Sequence, residues 1–323
     1  MNLTRRAFVA GSTLSLVSTG LRAQSGDTIK IEGPAFGAQW RVNMPLGIDT
    51  DVVISTVTKI IKTVDITMSP FLPASEISLF NHTQTTQPQP MSAGILTTLN
   101  EAKRVAHFTQ GAFDPTLGGV VGRYGFGPIT SAPAGAFRDL TVTHNGLQKS
   151  HAAQTLDLCG IAKGFALDQI ATALSHLGHR DYFIELGGEV LAKGQHPNGR
   201  PWVAGVERPL AGSQALQRTV RLTNEALATS GDQVNSYHHA DRAYNHIIDP
   251  HTQLPTDSTL ASVSVFAPLA ITADALATAL YAMGPNRGPA FARNNKIAAL
   301  FLVRSRNGLQ EMMTHKFAAR LIG

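Results

Sequence analysis

The sequence predicts an α+β fold, in which hairpin-linked strands share one chain with amphipathic helices. Three observations carry that expectation. Strand-like runs arrive in adjacent groups, which disfavours the strict alternation of a doubly wound parallel sheet. Apolar residues recur at three- and four-residue spacings in several separate windows. No internal repeat and no linker rich in Pro, Gly or Ser divides the chain.

The elements follow in order. Alternation around Ile29, Ile31, Trp40 and Val42 predicts a hairpin from about Asp27 to Met44. Val53, Val57, Ile60, Ile61 and Val64 predict a helix over 50–68, and Ile95, Leu99, Ala102 and Val105 a second over 93–110. Between them the polar stretch Thr83 to Pro90 has no periodicity and reads as a surface loop. A third helix over 164–178 stops at Gly178. Strand-like runs then cover Tyr182–Leu186, Val190–Lys193, Trp202–Val206, Thr219–Leu222 and Ser262–Phe266. Helices over 272–283 and 286–294 precede a final strand, Ala298–Arg304, expected to pair with one at Met312–Phe317.

With 323 residues, 43% of them apolar and 15% charged, the chain is neither disordered, collagen-like nor a disulfide-stapled mini-protein. Its formal charge of +5 points to nucleic acid or anionic lipid only until the charge is located. Residues 1–23 hold Arg5, Arg6 and Arg22 and no acid; the rest carries 24 Lys+Arg against 22 Asp+Glu, a charge of +2. That leader, Thr4-Arg5-Arg6-Ala7-Phe8-Val9 followed by a mildly apolar run, resembles a twin-arginine export signal. A Sec signal or a basic N-terminal arm is the competing reading. The expected organisation is thus a signal peptide, 1–23, and one compact unit, 24–323, possessing a periplasmic address. No other stretch has the roughly 18 uninterrupted apolar residues of a spanning helix. The single cysteine, Cys159, has no disulfide partner in the chain, and its small side chain between Leu158 and Gly160 predicts a buried structural thiol.

Several short motifs carry chemistry, each with a plainer reading beside it. Gly111-Ala112-Phe113-Asp114-Pro115-Thr116 places an acid in a proline-closed turn, which also serves simply to start a turn. Leu156 through Gly164 reads as a strand running into a helix with Lys163 at its start. That arrangement offers amides and an ammonium to an anion, or merely a solvated lysine. Glu185-Leu186-Gly187-Gly188-Glu189 allows close backbone approach to a flat ligand, or a tight turn. Ser230 in Ala228-Thr229-Ser230-Gly231-Asp232 lacks the elbow of a serine hydrolase, and a ligand-binding or turn-capping hydroxyl suits it better. His246 and Asp249 lie three apart and share a site only if the chain turns at Asp249-Pro250. Asp274 and Thr278 are i and i+4 on an alanine-rich helix, an oxygen pair suited to a hard cation such as Mg²⁺. The alternative for Asp274 is a helix-dipole partner near the N-terminus.

In this order, these segments resemble the ApbE family of FAD:protein FMN transferases. The resemblance runs from about Gly33 to Gly284 and rests on nine stretches. They are Phe36 through Trp40, Met68-Ser69 through Asn81, Gly111 through Thr116, Asp157 through Gly164, and Leu186-Gly187-Gly188. Pro201-Trp202, Ala228 through Asp232, His246 through Pro250 and Ala273 through Thr278 complete the set. The resemblance implies a T-fold-like α+β architecture with mixed, mostly antiparallel sheets and packed helices, and FAD in a cleft between lobes. It implies Mg²⁺-dependent transfer of FMN from FAD to a Ser or Thr hydroxyl through a phosphoester, with release of AMP. Carried over by position, Asp274, Thr278 and the Gly160 carbonyl hold Mg²⁺. Asp157, Lys163 and the turn Ala112-Phe113-Asp114 contact FAD, Phe36 and Phe71 pack on the flavin, and His246 with Ile247 lines the phosphate end. His246 or Asp249 serves as general base.

Three positions depart from the family pattern. Ala38 stands in place of a threonine, Phe71 in place of a frequent tyrosine, and Gln253 in place of a glycine after Asp249-Pro250. The competing functions are a pyrophosphatase that yields FMN and AMP, and a non-catalytic flavin-binding assembly factor. The leader also resembles that of the NosX branch, tied to nitrous oxide respiration, whose acceptor is a NosR-type membrane flavoprotein. A small hydroxyl-bearing motif on the partner, and no nucleic acid, is the expected target.

Overall fold

The computed structural model describes residues 21–130, 132–144, 146–209, 215–233, 236–239 and 242–322. Of the expected leader, residues 1–23, positions 1–20 lie outside the described residues, and Leu21–Ala23 begin a strand. Nine strands form the main sheet: β1 Leu21–Ser25, β2 Thr28–Ala35, β3 Ala38–Pro45, β4 Tyr182–Leu186, β5 Glu189–Lys193, β6 Glu225–Gly231, β7 Leu260–Ala267, β8 Ala298–Ser305 and β9 Gly308–Met313. They lie side by side in chain order and every neighbouring pair is antiparallel. This is the α+β arrangement that the grouped strands predicted. Hairpins need only short turns, whereas parallel neighbours require long crossovers.

The helices are α1 Thr50–Met68, α2 Glu76–His82, α3 Ala93–Phe108, α4 Gly118–Arg123, α5 Ala162–His176, α6 Ala270–Ala282, α7 Gly284–Asn294 and α8 His315–Ala318. One face of the sheet packs against α1, α3, α5 and α6 in a large apolar core that includes Val42, Val57, Leu99, Leu167, Val263 and Leu280. The other face is covered by the hairpin of Trp202–Glu207 with Leu216–Leu222, and by Phe317. Covered on both faces, β7 is buried at all eight of its positions, Ser262 and Ser264 included.

The α6 helix is the axis of the helical layer. Apart from its two threonines every residue is buried, and its alanines let α5 approach closely. Gly164 marks the contact: a Cβ there would meet the Ala270 carbonyl oxygen at 2.4 Å. The α6 N-terminus is held by Asp168 of α5, whose two carboxylate oxygens accept from the Ala270 and Ile271 amides, each at 2.9 Å. An acid from a neighbouring helix thereby satisfies two of the amides that a helix leaves unpaired.

Two expectations need correction. The last strand ends at Met313, earlier than Phe317. Thr314 stops the ladder, because its hydroxyl accepts from the Ala299 amide, and Phe317 swings into the short helix α8 to pack on Phe266 at 5.2 Å. The segment before Lys163 is extended but joins no sheet. The side chain of Asn81 substitutes for a neighbouring strand there: it accepts from the Leu156 amide and donates to the Leu156 carbonyl, both at 2.8 Å.

Candidate active site

The loop that Asn81 aligns delivers Asp157, Cys159, Gly160 and Lys163 to the start of α5. Asp157 accepts from the Cys159 amide at 2.9 Å, closing a tight turn. Cys159, in that turn, is exposed and not the expected buried cysteine, although the surrounding protein and Asp157 raise its thiol well above its usual range. Gly160 faces both α6 and the 111–116 turn. A Cβ on it would stand 3.3 Å from Thr278 Oγ1 and 3.4 Å from the Phe113 ring. Gly160, Thr278 and Phe113 therefore lie together.

Asp274 is 4% exposed and one oxygen accepts from the Gly164 amide at 2.9 Å. It therefore serves as a contact between helices and not as a partner of its own helix N-terminus. Thr278, one turn later, meets the Ser230 hydroxyl of β6 at 3.2 Å. Lys163 places its ammonium 2.6 Å from Glu189 Oε1, with 34% of the lysine side chain accessible and 3% of the glutamate. Burial opposes the lysine charge, but Glu189 and Asp274 outweigh it and hold the ammonium above its usual range. Burial raises Glu189 to about 7 against the pull of Lys163, and it raises Asp274 in the same sense.

The other expected residues surround this cluster at different depths. Ala112 and Phe113 are buried, and Asp114 is committed to the turn itself. Its oxygens accept from the Thr116 amide and hydroxyl at 2.9 and 2.6 Å and from the Phe137 amide at 3.1 Å. Phe36 sits at a two-residue turn with φ +49 beside Gly37 at φ +75, a mirror-image turn that holds its ring out at the hairpin tip. Phe71 is 62% exposed. Ala38, just past the Phe36 turn, lies near the tip of the β4–β5 hairpin, where a Cβ on Gly187 would stand 3.6 Å from it. The His246 ring meets the edge of Phe126 at 6.3 Å, while buried Ile247 is fixed through its carbonyl by the Thr256 amide at 3.0 Å.

Asp249 has a different neighbourhood. Its side chain accepts from the His251 amide at 2.9 Å and its carbonyl from the Gln253 amide at 2.8 Å, closing the turn. Gln253 adopts φ +57, the left-handed conformation that glycine normally supplies, so the turn survives the departure with some strain. Asp249 also borders an open depression of about 470 Å³ beside Thr256 and Met283, at the C-terminal end of α6. Asp274 lies toward the other end of that helix, and the described contacts do not join it to Asp249.

Residues 36–301 match the ApbE family. The chain belongs to the ApbE family. Among its relatives is the FAD:protein FMN transferase of Vibrio cholerae, 33% identical over 307 residues, covering 90% of this chain and 92% of that protein. The FAD:protein FMN transferase of Haemophilus influenzae is 31% identical and covers 94% and 95%. Among solved structures, the flavin transferase ApbE of Vibrio cholerae superposes with a TM-score of 0.81 at 30% identity, over 94% of this chain and 100% of that one.

Within this ApbE-family chain the donors suit a hard cation: a buried carboxylate, a hydroxyl and a main-chain carbonyl, all oxygen. Among the described residues no three His, Cys, Asp or Glu side chains gather to hold a metal. The cluster nonetheless sets two buried carboxylates, Asp274 and Glu189, against one ammonium, and Glu189 Oε2 is buried with no hydrogen-bond partner among the described residues. That excess of negative charge is what a cation offsets. Sequence reasoning missed Glu189 and the caps made by Asp168 and Asn81; each works through a partner far along the chain.

Proposed function

We propose that this chain transfers FMN from FAD to a Ser or Thr hydroxyl of an acceptor flavoprotein, forming a phosphoester and releasing AMP. The observation that carries the reading is the convergence of Gly160, Lys163, Asp274 and Thr278 at one site in an ApbE-family chain. Asp274, Thr278 and the Gly160 carbonyl would hold Mg²⁺, which supplies charge neutralisation at the pyrophosphate and its AMP leaving group. Lys163 would face the same phosphates, its ammonium already paired with Glu189. Exposed Phe36 and Phe71 offer apolar faces to the flavin ring. In the transfer, the acceptor oxygen bonds to the FMN phosphorus, the bond to the AMP oxygen breaks, and the hydroxyl proton passes to a base. His246 or Asp249 would take that proton; one Asp249 carboxylate oxygen also accepts from the His251 amide in its own turn.

Positioning and charge stabilisation supply most of the catalysis in such phosphoryl chemistry. Incubating the protein with FAD, Mg²⁺ and a candidate acceptor tests the reading through covalent flavin fluorescence on the acceptor. Free FMN and AMP without an adduct would make the chain a pyrophosphatase, and FAD binding without turnover an assembly factor. Asp274→Ala should abolish Mg²⁺-dependent turnover; full activity in that variant refutes the metal assignment. The twin-arginine-like leader supports a periplasmic location, and an acceptor in the membrane or periplasm, of the NosR type, is the partner that suits it. Fractionation of cells carrying Arg5→Lys/Arg6→Lys tests that address, since loss of export is the expected outcome.

A further inference from the structure

Glu189 has no role in the transfer as described, yet it is among the most completely buried acids beside the site. It follows the tip of the β4–β5 hairpin, where Gly187 and Gly188 take φ +58 and +102. A Cβ on Gly187 would stand 3.7 Å from Lys163 Cδ, so the tip lies against the lysine stem. The Glu189 carboxylate, 2.6 Å from the ammonium, directly opposes its charge. Asp274, also buried, acts on the same ammonium. Two carboxylates therefore answer one cation, and Glu189 Oε2 has no hydrogen-bond partner among the described residues. An arriving pyrophosphate meets a locally negative site in a poorly solvated place, where Coulomb interactions are strong.

We propose that Glu189 makes FAD binding conditional on the divalent cation: it cancels the Lys163 charge, so the pyrophosphate is held only when the cation restores a positive balance. Glu189 is in this sense a positioning and specificity residue that discriminates against metal-free FAD. The inference rests on the reading of Lys163, Asp274 and Thr278 as the FAD and Mg²⁺ site.

The test is the FAD dissociation constant, read by flavin fluorescence in Mg²⁺ and in EDTA, at about pH 8 so that Glu189, raised to about 7, is ionised. Wild type should bind FAD at least about tenfold more tightly in Mg²⁺. Glu189→Gln, which keeps the shape and removes the charge, should shrink that ratio about tenfold, chiefly through tighter binding in EDTA. Glu189→Asp keeps the charge and should keep the ratio. Should the Gln variant not fold, Glu189→Ala, which admits water beside Lys163, carries the same expectation. An unchanged ratio in the neutral variant, or equal wild-type affinity with and without Mg²⁺, overturns the proposal. Lys163→Ala separates the two levels: if it leaves FAD affinity unchanged, the FAD site reading itself fails. If it weakens FAD while Glu189→Gln does nothing, only the role given to Glu189 falls.

Discussion

Gly164→Ala adds one methyl group at the contact between α5 and α6. The new Cβ would lie 2.4 Å from the Ala270 oxygen, 2.7 Å from the Ala270 carbonyl carbon and 2.7 Å from Ile271 Cα. All three are backbone atoms, so no rotamer change relieves the overlap. Ordinary contact begins near about 3.5 Å, which requires α6 to retreat by about 1 Å. Overpacking of this kind costs about 1–3 kcal/mol. Stretching the bond from the Gly164 amide to Asp274 adds a further contribution of about 1.5 kcal/mol. A total of about 2.5–4.5 kcal/mol, for a chain whose unfolding entropy is about 2.1 cal/mol/K per residue, lowers the melting temperature by about 4–7 °C. Because α6 carries Asp274 and Thr278 while α5 begins at Lys163, the same retreat should weaken FAD binding in Mg²⁺ at least about tenfold. Thermal unfolding and flavin fluorescence titration measure the two effects. Gly94→Ala is the control, since its Cβ would meet only the ends of Phe165 and Met68, none closer than 3.4 Å. A Gly164→Ala protein with the melting temperature and FAD affinity of wild type would refute the close-packed account of this site.

Three further outcomes are expected. Gln253→Gly relieves the φ +57 conformation and should stabilise the protein by about 1 kcal/mol in urea unfolding, unless the added chain entropy of glycine consumes the gain; a loss above about 1 kcal/mol contradicts the strain. N-ethylmaleimide should label Cys159, which is exposed although crowding protein and the Asp157 carboxylate push its thiol well above its usual range. Labelling should therefore be slow at neutral pH, and the adduct, next to Gly160, should block FAD binding; mass spectrometry with a titration decides both. Asn81→Leu removes both bonds to Leu156 and should cost about 2–4 kcal/mol and loosen the Asp157–Lys163 loop, read by hydrogen exchange; unchanged exchange would show that the loop is held otherwise.

The legible part of this protein is the part encoded between near neighbours. Val53, Val57, Ile61 and Val64 mark one face of α1, and the expected bounds, 50–68, are those observed. The same holds for Tyr182–Leu186, because a strand alternates at a fixed period of two. The i, i+4 stacking of Asp274 and Thr278 followed from helix geometry alone. Errors fell where a distant residue sets the local conformation. Phe317 left the strand for a helical turn because the opposite face of the sheet needed an apolar plug. The run before Lys163 stayed extended without a sheet because Asn81 supplied its hydrogen bonds. Cys159 is the local exception: Asp157, two residues earlier, closes the turn that leaves it exposed.

By itself, then, the sequence determined the order and type of most elements, the family of the chain, and Asp274, Thr278 and Lys163 as candidate site residues. Periodicity and short motifs act over one or two turns of chain, and that is the range over which they are written. Only the tertiary structure decided how those groups are answered. Lys163 meets Glu189, Gly164 meets Asp274 and Thr278 meets Ser230, and no periodicity joins residues 26, 110 and 48 positions apart. A buried charge must find its partner wherever packing brings one, and packing depends on how all the elements close together.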